Sequence, residues 1–116
     1  MELERVVSRD ILEWGESVKD WLYVMFIDKG KNYKKVNKEM VVKHVGHIRA
    51  LDESGKLALC GAFKGYPGVA GMVVLRAESQ EEAEELCNAE PLVAEGFATY
   101  RLVALHAGNR ENNYLL

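Results

Sequence analysis

Scarcity says much about this sequence before any motif does. Only two of its 116 residues are cysteines, Cys60 and Cys87, and both fall inside apolar stretches. That argues against a disulfide framework or a zinc ribbon and leaves two buried thiols of a cytoplasmic protein. The longest apolar run is Trp21 to Ile27, far too short to cross a bilayer, so no membrane partner is expected. The first residues, Met1-Glu2-Leu3-Glu4, are acidic with no apolar run behind them, which argues against a secretory signal. Positive charge is not in excess: the formal net charge is −3 and the isoelectric point about 5.6. Lys29, Lys31, Lys34, Lys35 and Lys38 do cluster, but no recognition motif accompanies them. A solvated loop explains them, and no nucleic-acid partner is expected.

What is present is one domain's worth of alternating elements. Residues 8–20 read as a helix with Ile11, Trp14 and Val18 on one face. It forms an N-terminal extension over 1–20, ahead of a domain over 21–107 and a tail over 108–116. Trp21 to Ile27 is a strand, rich in aromatic and branched residues and closed by Asp28-Lys29-Gly30. A polar loop leads to Asn37, which caps a helix running to about Asp52 and ended by Ser54-Gly55. Leu57 to Phe63 and Gly71 to Ala77 are strands joined by a Gly- and Pro-built turn, hence a hairpin. Ser79 and Glu82 form a capping box for the next helix, which buries Ala83, Leu86 and Cys87. Pro91 stops that helix and puts Glu90 at its exit. Phe97 to His106 is the last strand.

The order is βαββαβ, the ferredoxin-like pattern of an α+β fold with a four-stranded antiparallel sheet. Two helices cover one face of such a sheet. The strands are nevertheless apolar on both faces, which predicts a homodimer packed sheet to sheet.

The chemistry concentrates on the long helix. Val41, His44, Ile48 and Leu51 recur at spacings of three and four, so they share a face. His44 sits mid-stripe, where an aliphatic residue is usual. A neutral imidazole there can take a proton from an acidic carbon or hydroxyl. A carboxylate on its other nitrogen would fix its tautomer and steady the resulting cation. Glu90 is the carboxylate to pair with it. The competing reading makes His44 a core histidine bonded to backbone, and Glu90 a local cap near Pro91. His47 falls at the margin of the face and is a candidate to rim a pocket. Tyr23 and Tyr66 are candidates to donate to a bound oxygen, with aromatic packing as the alternative. His44 and His47 with Glu90 or His106 would make a metal set, but the spacing signature of a metal site is missing, so no metal is expected. No phosphate-binding glycine loop occurs, so no cofactor is expected either.

Several of these stretches resemble one family. His44-Val45-Gly46-His47-Ile48-Arg49-Ala50-Leu51, then Gly55-Lys56-Leu57 and Cys60-Gly61, is similar to the YCII family of small dimeric α+β barrel proteins. So are Ala77-Glu78-Ser79, Glu82-Ala83 and Glu90-Pro91-Leu92-Val93-Ala94-Glu95-Gly96. The resemblance runs from about Tyr23 to about His106. It implies a dimeric α+β barrel and a pocket beneath the helices, lined by a histidine facing an aspartate and taken as the active site. Those positions fall on His44 and Glu90. Here glutamate stands in place of the family's aspartate, and Gly61-Ala62 in place of its Gly-Pro. The family includes a dehydrochlorinase acting on a chlorinated hydroxyhydroquinone. Two functions follow as expectations. One is a cofactor-free lyase or isomerase moving a proton on a small organic substrate. The other is a non-catalytic small-ligand-binding module with the same pocket.

Overall fold

A computed structural model describes residues 21–116, and the expected helix over 8–20 lies outside the described residues. Strand β1 spans Trp21–Lys29, helix α1 Lys38–Glu53, β2 Leu57–Ala62, β3 Val69–Leu75, α2 Gln80–Asn88, α3 Pro91–Ala94 and β4 Ala98–His106. Short 3-10 turns occupy Tyr33–Lys35, inside the expected loop, and Asn113–Leu115. The sheet order is β2-β3-β1-β4 and every pairing is antiparallel. This is the ferredoxin-like α+β arrangement, with β1 and β3 central.

Local chemistry sets the element ends. The Asn37 side chain accepts from the Met40 N–H at 3.0 Å, satisfying one orphan donor of α1. At the other end Gly55 takes φ +75°. The Lys56 N–H then reaches Leu51 O at 2.8 Å, and the Gly55 N–H reaches Asp52 O at 3.1 Å. That is the Schellman closure, which needs a left-handed residue. Ser79 caps α2 through the Glu82 N–H at 3.1 Å. The return arm differs from a strict capping box: Glu82 accepts from Glu78 N–H, one residue earlier, and also pairs with Lys56 at 3.0 Å.

The core lies between the sheet and the helices. Met25, Ile27, Val73 and Leu75 meet Met40 and Leu51 of α1, Cys87 of α2 and Leu92 of α3. Each such side chain contributes roughly 1.5–3 kcal/mol by leaving water. The α1 stripe is turned from the expected one. Met40 and Leu51 are its buried residues, with His44, His47 and Ile48 half-buried, whereas Val41 is 49% exposed. Each residue advances about 100°, so with Met40 facing the sheet Val41 falls on the flank.

The other sheet face carries Leu22, Val24 and Phe26, which register beside Leu105, Val103 and Arg101 of β4. Val74 of β3 lies between Val24 and Leu59 of β2. Leu59 and Val103 are 56% and 51% exposed there. No helix of the described residues is long and apolar enough to cross a membrane.

Candidate functional site

Glu90 is fixed before it meets any partner. It is the N-cap of α3, with Pro91 at the first helical position. Its Oε2 accepts from the Leu92 N–H at 2.7 Å and the Val93 N–H at 3.3 Å. At the far end Gly96 takes φ +84°, and the Gly96 and Phe97 N–H groups close onto Val93 O and Leu92 O at 3.1 and 2.9 Å. A single turn of helix is thus capped at both ends, and Leu92 pins it into the core. Pro91 does end α2, as its missing N–H requires, but it also starts α3, where that N–H has no helical acceptor. The sequence signal was available: an acceptor side chain, then Pro, then Gly five residues on.

The second carboxylate oxygen, Oε1, faces Nδ1 of His44 in direct contact. Glu90 is 1% exposed and His44 28%. The local-cap reading therefore holds in part, since Glu90 caps α3 with one oxygen and holds the histidine with the other, while His44 meets a carboxylate where the core-histidine reading expected backbone. With Nδ1 toward the carboxylate, Nε2 is the nitrogen left for a ligand. Beside the pair, Lys43 lies 3.3 Å from Glu95 and 3.9 Å from Glu39, tying α1 to the end of α3 at the surface.

His47 stands closer to this pair than its place in the pattern suggested. It stands near enough to Glu90, His44 and the Leu86 backbone for each to act on its proton affinity. Burial, foremost, lowers its proton affinity below the ordinary histidine value; a charge on His44 acts the same way, and Glu90 and Leu86 oppose.

The two tyrosines go elsewhere. Tyr23 points to the helix side of β1 and packs against the core. Tyr66 tilts against Phe63 at 5.3 Å between centroids, and Phe63 stacks on Phe26 at 6.4 Å. Phe26 belongs to the sheet face away from α1. There Arg101 grips Asp28 with two hydrogen bonds of 2.8 Å and covers the Phe26 ring. That grip holds the Asp28 carboxyl below its usual range. Tyr66 also lies near Arg101 and packs on Phe63, so the structure does not bring it to His44.

Two other features are set apart from the pair. Burial pushes the Cys87 thiol up to about 12, so it stays protonated and is no nucleophile at neutral pH. A cavity of about 290 Å³ is lined by Trp21, Leu22, Lys56 and Arg76 with the Ser54-Gly55 turn. That turn lies about 15 Å along α1 from His44, at 1.5 Å per residue. Among the described residues no group of His, Cys, Asp and Glu is arranged to hold a metal ion.

Comparison with known proteins agrees with this geometry at the level of fold and family. A model of the YCII-related domain matches residues 21–106. The uncharacterised protein YjpA of Bacillus subtilis (strain 168) is 38% identical over 63 residues, which are 54% of this chain and 72% of that protein. The 5-chloro-2-hydroxyhydroquinone dehydrochlorinase of Burkholderia phenoliruptrix AC1100, solved in complex with 2,5-dihydroxybenzoquinone, superposes with a TM-score of 0.60. The match covers 79% of this chain and 98% of that one, at 14% identity. At that identity the likeness is one of fold.

Proposed function

The chain belongs to the YCII-related family, and from that premise we propose that His44 and Glu90 form the working pair of a small-molecule site. The reaction class is cofactor-free lyase or isomerase chemistry by proton transfer. One observation carries the reading: a buried carboxylate, anchored by two backbone N–H groups, is aimed at one nitrogen of a partly accessible histidine. Burial of so polar a group is costly unless it is fully paired. In this role Nε2 of His44 takes a proton from a hydroxyl or an acidic carbon, and Glu90 steadies the imidazolium. His47 is the adjoining group on the same helix. The fold is shared with a dehydrochlorinase bound to 2,5-dihydroxybenzoquinone, which makes hydroxylated and halogenated rings the first compounds to try.

The functional unit in this proposal is a cytoplasmic homodimer joined through the sheet face opposite the helices. Its support is the apolar set of Leu59, Val103 and Leu105, exposed on that face. The site itself lies on the helix side of the same sheet.

The test is a turnover screen of hydroxylated and chlorinated aromatics, with chloride release as one readout. General-base catalysis contributes about 10²–10⁴ in rate, so His44→Asn is expected to lose at least about 100-fold in kcat/KM. Full activity in His44→Asn refutes the assignment. The second reading, a non-catalytic binding module, is favoured by the local capping duty of Glu90. It gains if ligands raise the melting temperature and none is turned over.

A further inference from the structure

The cavity beside the Ser54-Gly55 turn is lined by neither His44 nor Glu90 and carries its own chemistry. It lies where β1 starts and β3 ends, with Trp21 and Leu22 from the first and Arg76 just past the second. Its volume of about 290 Å³ stands at the lower end of small-ligand sites, about 300–1,000 Å³. The Trp21 ring stacks on His106 across β1 and β4, with centroids 4.7 Å apart and planes at 18°, so the apolar wall is preformed. The Arg76 N–H donates to Lys56 O at 2.7 Å, which sets the two cationic residues side by side on adjacent chain segments. Like charges so placed repel unless an anion offsets them. Glu82 supplies one for Lys56 at 3.0 Å, and a lysine ammonium then has two of its three N–H donors left. The exposed Arg76 has no such partner: among the described residues no carboxylate lies within ion-pair distance of it. The C-terminal end of α1 and the N-terminal end of α2 both flank the cavity. Their fields oppose each other, so the side chains set its charge.

We propose that this cavity is a second binding site, for a small organic acid with one carboxylate and an apolar body. The carboxylate is taken by the planar Arg76 guanidinium, whose fork of N–H donors matches two carboxylate oxygens, with Lys56 beside it. The apolar body lies against Trp21 and Leu22. Glu78 also lines the cavity, and its carboxylate opposes further negative charge on the ligand, so a singly charged acid is favoured over a phosphate. The site stands apart from His44 and does not depend on the reading of that residue.

The experiment titrates benzoate, uncharged benzyl alcohol and inorganic phosphate into the full chain, read by calorimetry and by tryptophan fluorescence. Benzoate is expected to bind and to change the fluorescence, with benzyl alcohol and phosphate each weaker by at least about threefold. A hydrogen bond of ordinary net strength corresponds to about 3- to 10-fold in affinity. Arg76→Gln, a surface change that should leave the melting temperature in place, is therefore expected to weaken benzoate by that factor and benzyl alcohol by less than about twofold. Trp21→Phe keeps an aromatic wall, so benzoate should still bind by calorimetry while the fluorescence change is lost. His44→Asn should leave benzoate affinity unaltered. No binding of benzoate, or an affinity untouched by Arg76→Gln, overturns the proposal. Phosphate binding as tightly as benzoate overturns the ligand class. A benzoate affinity that falls in His44→Asn and not in Arg76→Gln puts the acid at the histidine and overturns the second site.

Discussion

Replacing Glu90 separates its two duties. Glu90→Ala removes the acceptor of the Leu92 and Val93 N–H groups and the partner of His44 together. Loss of an N-cap costs about 0.5–2 kcal/mol. A buried donor left unsatisfied costs about 1–3 kcal/mol, and the Leu92 N–H is such a donor. These describe partly the same bond, so their sum overcounts. Adding the lost contact with His44, the expected destabilisation is about 2–4 kcal/mol. Glu90→Gln keeps the length and one oxygen for the two N–H groups, and its amide meets a histidine able to change tautomer, so about 1 kcal/mol is expected. Glu90→Asp retains a good capping group but falls a methylene short of His44. The assay is urea unfolding at fixed protein concentration. With a slope of about 2 kcal/mol per molar, the middle of the usual range, the alanine variant's midpoint should fall by about 1–2 M. Losses under about 0.5 kcal/mol in both Glu90→Ala and Glu90→Gln would refute the reasoning. So would additivity of Glu90→Ala with His44→Ala, since groups in contact should couple.

Three further outcomes follow from the same fold. A Cβ at Gly71 would sit 2.3 Å from the Gly61 carbonyl oxygen on the neighbouring strand, so Gly71→Ala should destabilise by about 1–3 kcal/mol or more; an unchanged melting temperature contradicts this close approach. His47 binds its proton less readily folded than unfolded, so the unfolded chain holds more protons as pH falls below the ordinary histidine value of about 6.5. Its contribution is fully present above that value and is lost as pH drops through the lowered folded value. Urea midpoints should therefore decline from pH 7.5 to 5.5, and decline less in His47→Asn; parallel declines would argue against it. Finally, Val103→Glu places a charge on the exposed apolar sheet face, and light scattering should show half the wild-type mass; a wild-type chain that is already monomeric overturns the sheet-to-sheet dimer.

The sequence by itself determined the order of elements and most of their ends. Aromatic and branched residues over 21–27 forced a strand. Asn37 and Ser79 announced helix starts, and Gly55 a helix stop, because caps act through backbone groups within a few residues of themselves. The same locality made α3 legible in principle from Glu90-Pro91 and Gly96, although Pro91 more readily reads as a stop alone. His44 stood out as polar on an apolar stripe, and its pairing with a carboxylate 46 residues away was reached through pattern and resemblance together.

Tertiary structure decided what spacing leaves open. Periodicity places residues on a face but not the angle at which that face meets the sheet. The docking of α1 therefore buried Met40 instead of Val41 and left His47 half-buried, three residues on from His44. It also separated Tyr23 from Tyr66, one under the helices and one beyond the sheet, a choice set by strand register and the packing of Phe63 on Phe26. Glu90 gained its second duty the same way: a local cap spends one carboxylate oxygen, and only the approach of α1 to α3 supplies His44 for the other.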